Sequence, residues 1–214
     1  MAEAQVAGRG QSGNSWLSEP GKNLTFSILL HPRFLDIQHQ FNLNIAISLA
    51  INDVLTSYLG SAASIKWPND SYIGNDKIGG ILIENIVQGG QIKHAIIGIG
   101  LNINQTDFPF SLHNVTSFKK ILHNDYDLQT IKNEICRSVE ARYLQLKAGK
   151  YDTLHAEYLN KLYKFDVWAR FKIHGEIVAG KISGVSAEGF LKVETDAGLQ
   201  RFGLKEIEFV REIL

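Results

Sequence analysis

Arg9 stands between Gly8 and Gly10, in a stretch that runs on through Gln11-Ser12-Gly13-Asn14-Ser15-Trp16 to Pro20, Gly21, Lys22 and Asn23. Backbone without side chains can close around an anion while the guanidinium offers forked donors to phosphate or carboxylate. Trp16 adds an apolar lid or a stacking surface. A plain surface loop with a stray tryptophan is the competing reading, because glycine motifs taken singly have a high false-positive risk. Three glycines in residues 8–13 argue for a mobile loop that holds neither helix nor strand, since each adds backbone freedom that ordering must remove. A second cation, Lys77, opens Lys77-Ile78-Gly79-Gly80-Ile81-Leu82-Ile83-Glu84, shortly after Lys66-Trp67-Pro68-Asn69-Asp70. Taken without its flanks, it reads as a surface lysine before a hairpin. In Ile97-Gly98-Ile99-Gly100-Leu101-Asn102-Ile103-Asn104, strand periodicity puts the aliphatics on one face and the glycines and amides on the other. The first face is core. The second is bare backbone, suited to close approach by a flat ring or to a helix packed on glycines.

In this order and at these separations the three stretches resemble the catalytic domain of biotin–protein ligases: GRGxxGxxW, then KWPND with KxGGILIE, then GIGxNxN. The resemblance covers essentially the whole chain from Ala2. It implies an α+β fold: over residues 1–164 a mixed or antiparallel sheet packed with helices, of the class II synthetase-like biotin/lipoyl ligase type, and over 165–214 a small SH3-like β-barrel. It implies ATP-dependent activation of biotin to biotinyl-5′-AMP, with Mg2+ arriving on ATP, and transfer to a lysine of a biotin carboxyl carrier protein domain of a carboxylase. Carried over by position, Gln5, Gly8, Arg9, Gly10, Gln11, Lys77 and Gly80 match the family's contacts to biotin and its adenylate. Arg9, Trp16, Asn69, Lys77 and Asn102 match the ATP side, Trp16 as the ring that covers the nucleotide and Asn102 as the amide that reads adenine. Asp70 joins Arg9 and Lys77 as a catalytic candidate. Asn69 and Asp70 would serve the phosphates, their magnesium or the acceptor amine; no dedicated metal cluster is expected.

The chain also departs from the family. Gln11 and Asn14-Ser15 stand where the better-known loop is more basic, which implies looser retention of the adenylate. The strand and helix that precede this point in the family, with the Ser/Thr-Asn motif that holds biotin's polar ring, are not found before Gln5, which leaves a fragment, a start assigned too late or a shortened relative open. With no helix-turn-helix ahead of the domain, repressor activity is not expected. A lipoate–protein ligase-like acyl-adenylate transferase, or a truncated relative that binds adenylate without turnover, are the alternatives.

The chemistry explains the cations. Joining a carboxylate to an amine in water needs a better leaving group, which adenylation supplies. Carboxylate and triphosphate repel, so the catalyst must neutralise both and then the charge developing at phosphorus. No protein nucleophile is required.

Composition bounds the rest. Lys+Arg and Asp+Glu are both 22 in 214 residues, so there is no basic field and no nucleic-acid partner is expected. The one cysteine, Cys136, excludes an internal disulfide and fits a reducing, cytoplasmic setting. No run of about 18 apolar residues and no signal peptide is visible, so no membrane partner is expected. A homodimer is among the assemblies left open.

Periodicity then places the elements. Residues 2–6 read as the tail of a strand and 24–30 as a strand with one buried face, closed by Pro32. A helix apolar on most sides is expected over 38–59, ended by Gly60, and a short strand over 64–67. Strands over 77–87 and 92–104 flank Gln88-Gly89-Gly90. Asp127 caps a helix that Gly149 stops, and a second helix covers 152–163. From Asp166, alternating runs with turns at His174-Gly175, Glu188-Gly189 and Asp196-Ala197-Gly198 predict a barrel of roughly 50 residues.

Overall fold

The computed structural model describes residues 1–110, 112 and 114–210. Residues 2–6 are not the expected strand tail; Ala2 is tied down by its amide donating to the Thr25 carbonyl and its carbonyl accepting from the Thr25 hydroxyl, and the Glu3 carbonyl accepts from Gly21 N, all at 2.8 Å. The glycine loop also departs from expectation. Gly8–Arg9 (β1) and Ser15–Trp16 (β2) pair antiparallel, and Gly10 N donates to the Asn14 carbonyl at 2.6 Å, closing a small ribbon. Glycine serves close approach here rather than freedom: a Cβ at Gly8 would lie 2.3 Å from the Trp16 carbonyl oxygen.

Leu24–Leu30 (β3) leads to a capped turn and the helix Gln40–Leu59 (α1). By length and composition residues 37–62 resemble a membrane span, yet 56% of that window is buried in the protein, as befits a core helix. Gly60 ends it at φ 74°. Ala63–Lys66 (β4), Asp70–Ile73 (β5), Asp76–Gln88 (β6) and Gln91–Leu101 (β7) complete a five-stranded sheet in the order β3-β7-β6-β5-β4, every neighbouring pair antiparallel. Strand β7 stops at Leu101, short of Asn104, whose side chain instead holds both backbone groups of Tyr126. Strand β5 was not legible: four residues starting Asp-Ser carry no apolar alternation, and a bulge interrupts their pairing with β6.

Phe118–Leu122 (α2), Leu128–Lys147 (α3) and Tyr151–Asn160 (α4) follow. The Asp127 carboxylate caps α3, accepting from Thr130 N and Oγ1 at 2.8 and 2.6 Å, bonds that hold its pKa below the usual carboxylate value. Helices α1 and α3 pack together and α4 joins them. Arg142 of α3 locks all three, with Nε and Nη2 on Asp53 at 2.8 and 3.0 Å and Nη1 on Glu157 at 2.5 Å.

Trp168–Ile173 (β8), Glu176–Val185 (β9), Leu191–Thr195 (β10), Gly198–Phe202 (β11) and Ile207–Phe209 (β12) form a second antiparallel sheet, ordered β11-β10-β9-β8-β12, consistent with an SH3-like unit. The Lys66-Trp67-Pro68 run joins it to the first. Trp67 Nε1 donates to the Gly189 carbonyl at 2.9 Å, and Lys66 Nζ lies 4.9 Å from the centres of both the Tyr72 and Phe209 rings. The Pro68 carbonyl accepts from Asn44 Nδ2 at 2.8 Å and from the buried Tyr158 hydroxyl at 3.0 Å. These residues thus hold the frame around Asn69 and Asp70.

Candidate active site

One face of the first sheet is filled by helices; the other carries a cavity of about 660 Å3. Register defines its floor. Thr25, Gly100 and Gly80 lie in one cross-strand row, Ser27, Gly98 and Leu82 in the next, then Leu29, Ile96 and Glu84. Met1, Ala2, Gln5, Ala7 and residues 9–11 and 14–16 of the loop also line the cavity, and Leu204 and Lys205 reach it from the turn between β11 and β12.

Lys77 and Asp70 meet at one end, Nζ to Oδ1 2.7 Å, each about 30% exposed at 32% and 29%. Gly80 makes room for them: a Cβ there would lie 3.0 Å from Asp70 Oδ1 and 3.5 Å from Lys77 Nζ. Further along the floor Arg9 Nη2 lies 3.2 Å from Glu84 Oε2. In the cross-strand row of Asp70 and Gly80 sits Trp16, whose ring covers Gly100 so closely that a Cβ would fall 2.6 Å from Cε2. The bare glycine face therefore does receive a flat ring, and it is the chain's own indole. Its Nε1 is buried and has no hydrogen-bond partner.

The cavity brings together Gln5, Arg9, Gly10, Gln11, Trp16, Asn69, Asp70, Lys77 and Gly80. Gly8 does not line it but shapes the ribbon. Asn102 does not line it either. It is 3% exposed, donating Nδ2 to the Thr116 carbonyl at 3.1 Å, with Oδ1 buried and unpartnered. Asn69 is buried as well, and its Nδ2 is spent on the Ile81 carbonyl; toward a phosphate or magnesium only its Oδ1 is left. Among the described residues no group of three or more His, Cys, Asp or Glu could hold a metal. Sequence reasoning missed Glu84 as Arg9's partner, although residues 80, 82 and 84 of one strand necessarily share a face. It missed Leu204 and Lys205 because nothing local announces a contact from the second sheet.

An open sheet face, glycines at its strand crossings, a loop arginine and a strand lysine define an anion-handling site on an antiparallel α/β scaffold. Residues 1–102 match the profile of the Biotin/lipoate A/B protein ligase family. The bifunctional ligase/repressor BirA of Bacillus subtilis (strain 168) is 28% identical over 211 residues, 97% of this chain and 65% of that protein, so the chain spans a little under two thirds of this relative. The biotin–[acetyl-CoA-carboxylase] ligase of Paracoccus denitrificans is 34% identical over 105 residues, 48% of this chain and 43% of that protein. In fold, the chain is similar to the biotin protein ligase from Aquifex aeolicus solved in complex with biotin and ATP, with TM-score 0.81 and 24% identity over 99% of this chain and 88% of that one.

Proposed function

We propose that the chain activates biotin with ATP to biotinyl-5′-AMP and passes the acyl group to a lysine of a biotin carboxyl carrier domain of a carboxylase. The observation that carries this reading is the placing of Arg9 and Lys77 in one cavity over a glycine floor. A biotin carboxylate oxygen attacks the α-phosphorus and pyrophosphate leaves; an acceptor amine then attacks the acyl carbon and AMP leaves. Lys77 supplies a point charge from a rigid strand, and Arg9 a fork from a loop able to follow the anion. Both are engaged by carboxylates here, so each is held in place before the ligand arrives. Asp70 and the Asn69 Oδ1 are hard oxygen donors at the cavity; they fit a hydrated magnesium held chiefly by phosphate, whose part is to neutralise charge on the triphosphate.

The family name covers lipoate ligases too, so the test must separate the acids. Saturating biotin with ATP should raise Tm by about 5–10 °C, the shift expected when ligand stands near a hundred times its Kd, and lipoate with ATP should not. A larger shift with lipoate would transfer the assignment to that acid.

A further inference from the structure

We propose that Glu84 is a positioning residue for Arg9: a counter-ion that keeps the arginine docked on the sheet in the empty site and yields it to the incoming anion. The proposal rests on the reading of Arg9 given above. The 8–16 ribbon touches the sheet at two anchors, Trp16 over Gly100 of β7 and Arg9 on Glu84 of β6. Counting cross-strand rows, Gly100 pairs Gly80, Gly98 pairs Leu82 and Ile96 pairs Glu84. The anchors therefore stand two rows apart and bracket the Gly98–Leu82 row, so whatever settles there lies between them.

The two cation–carboxylate pairs of the cavity differ in kind. Lys77 and Asp70 both sit on paired strands, with β5 and β6 bonded to each other, and their 2.7 Å contact opens only by side-chain rotation within a fixed frame. Glu84 is equally fixed, but its partner rides on a ribbon of two-residue strands. Arg9 can travel. Its side chain is 74% exposed and that of Glu84 45%, so the pair is solvated and exchangeable, able to bias the loop without sealing it. A guanidinium fork engaged by one carboxylate is not fully available to a phosphate, and ligand must displace Glu84 to use it.

The test is Glu84→Gln, because the proposal predicts effects of opposite sign. In the empty protein, trypsin cleavage after Arg9, identified by fragment mass, should accelerate about two- to five-fold. Added salt should speed that cut in the wild type and leave it unchanged in the variant. Affinity for biotin with ATP, by calorimetry, should tighten about two- to five-fold once the competing carboxylate is neutral; Glu84→Asp, which keeps the charge, should stay near wild type in both assays. A merely structural Glu84 would loosen the loop and weaken binding together, and a bystander would change neither; either result overturns the proposal. A wild type that binds neither biotin nor ATP would sink the functional reading, while the proteolysis and its salt dependence would still decide the role of Glu84.

Discussion

Gly100 has no side chain, and the Trp16 indole lies where one would be. Gly100→Ala should therefore lift the ring off the sheet. Because the obstructing atoms belong to a side chain on a small ribbon, stability should change little while Trp16 fluorescence shifts toward that of a solvent-exposed indole. Gly79 makes the contrast: its Cβ would meet the Gly100 carbonyl oxygen at 2.7 Å and Leu101 Cδ1 at 2.6 Å. Backbone cannot step aside so easily, so Gly79→Ala should cost about 1–3 kcal/mol in urea unfolding. Gln11, at the cavity without a charge, bears on retention: Gln11→Arg should slow release of the adenylate, seen as fewer lysines labelled on a bystander protein, and equal labelling would remove the loop's charge from the account. Gly98 and Gly100 were legible as places of close approach because both sit on one strand parity, whereas the glycines of residues 8–13 read only as freedom. What approaches Gly100 was not legible, since Trp16 and Gly100 are far apart in sequence.

Among the elements, α1 and α3 were read nearly to their ends. An apolar wheel and an Asp cap are local signals, and the Asp127 carboxylate does what its position suggested. Strand β5 and helix α2, four and five residues long, carry too few residues to show a period. Tyr58 of α1 offers a pH test. Its ring packs edge-on against Phe118 and Tyr126, with centroids at 5.5 and 5.7 Å, and burial first, then Glu134, pushes its pKa up to about 12. A phenol whose folded pKa exceeds its unfolded value stabilises the fold fully below about pH 10, and that contribution drains away as pH rises toward 12. Tyr58→Phe should accordingly flatten the loss of stability over that window. Arg142→Ala should cost about 2 kcal/mol, the scale of charge-assisted hydrogen bonds with partly solvated partners, and Arg142→Lys should recover only part, since an ammonium cannot reproduce the fork.

The molecule as a whole is joined through the stretch just before Asn69 and Asp70, which the sequence suggested were the site residues of their motif. Lys66, Trp67 and Pro68 hold the second sheet and α4 to the first, and the bond from Trp67 to Gly189 spans 122 positions of chain. Such a contact leaves no periodic trace, whereas the second sheet itself was legible from its evenly spaced turns. Trp67→Phe, which keeps an aromatic ring of smaller size and removes the donor, should lower Tm and separate the unfolding of the two sheets in calorimetry; one unshifted transition would show that the junction does not depend on this bond. The central claim is that Arg9 and Lys77 together gather a carboxylate and a triphosphate. It is tested most directly by isotope exchange of pyrophosphate into ATP, with and without biotin. The account predicts exchange that requires biotin in the wild type and is mostly lost in Lys77→Ala; exchange independent of biotin, or equal in the two proteins, would contradict it.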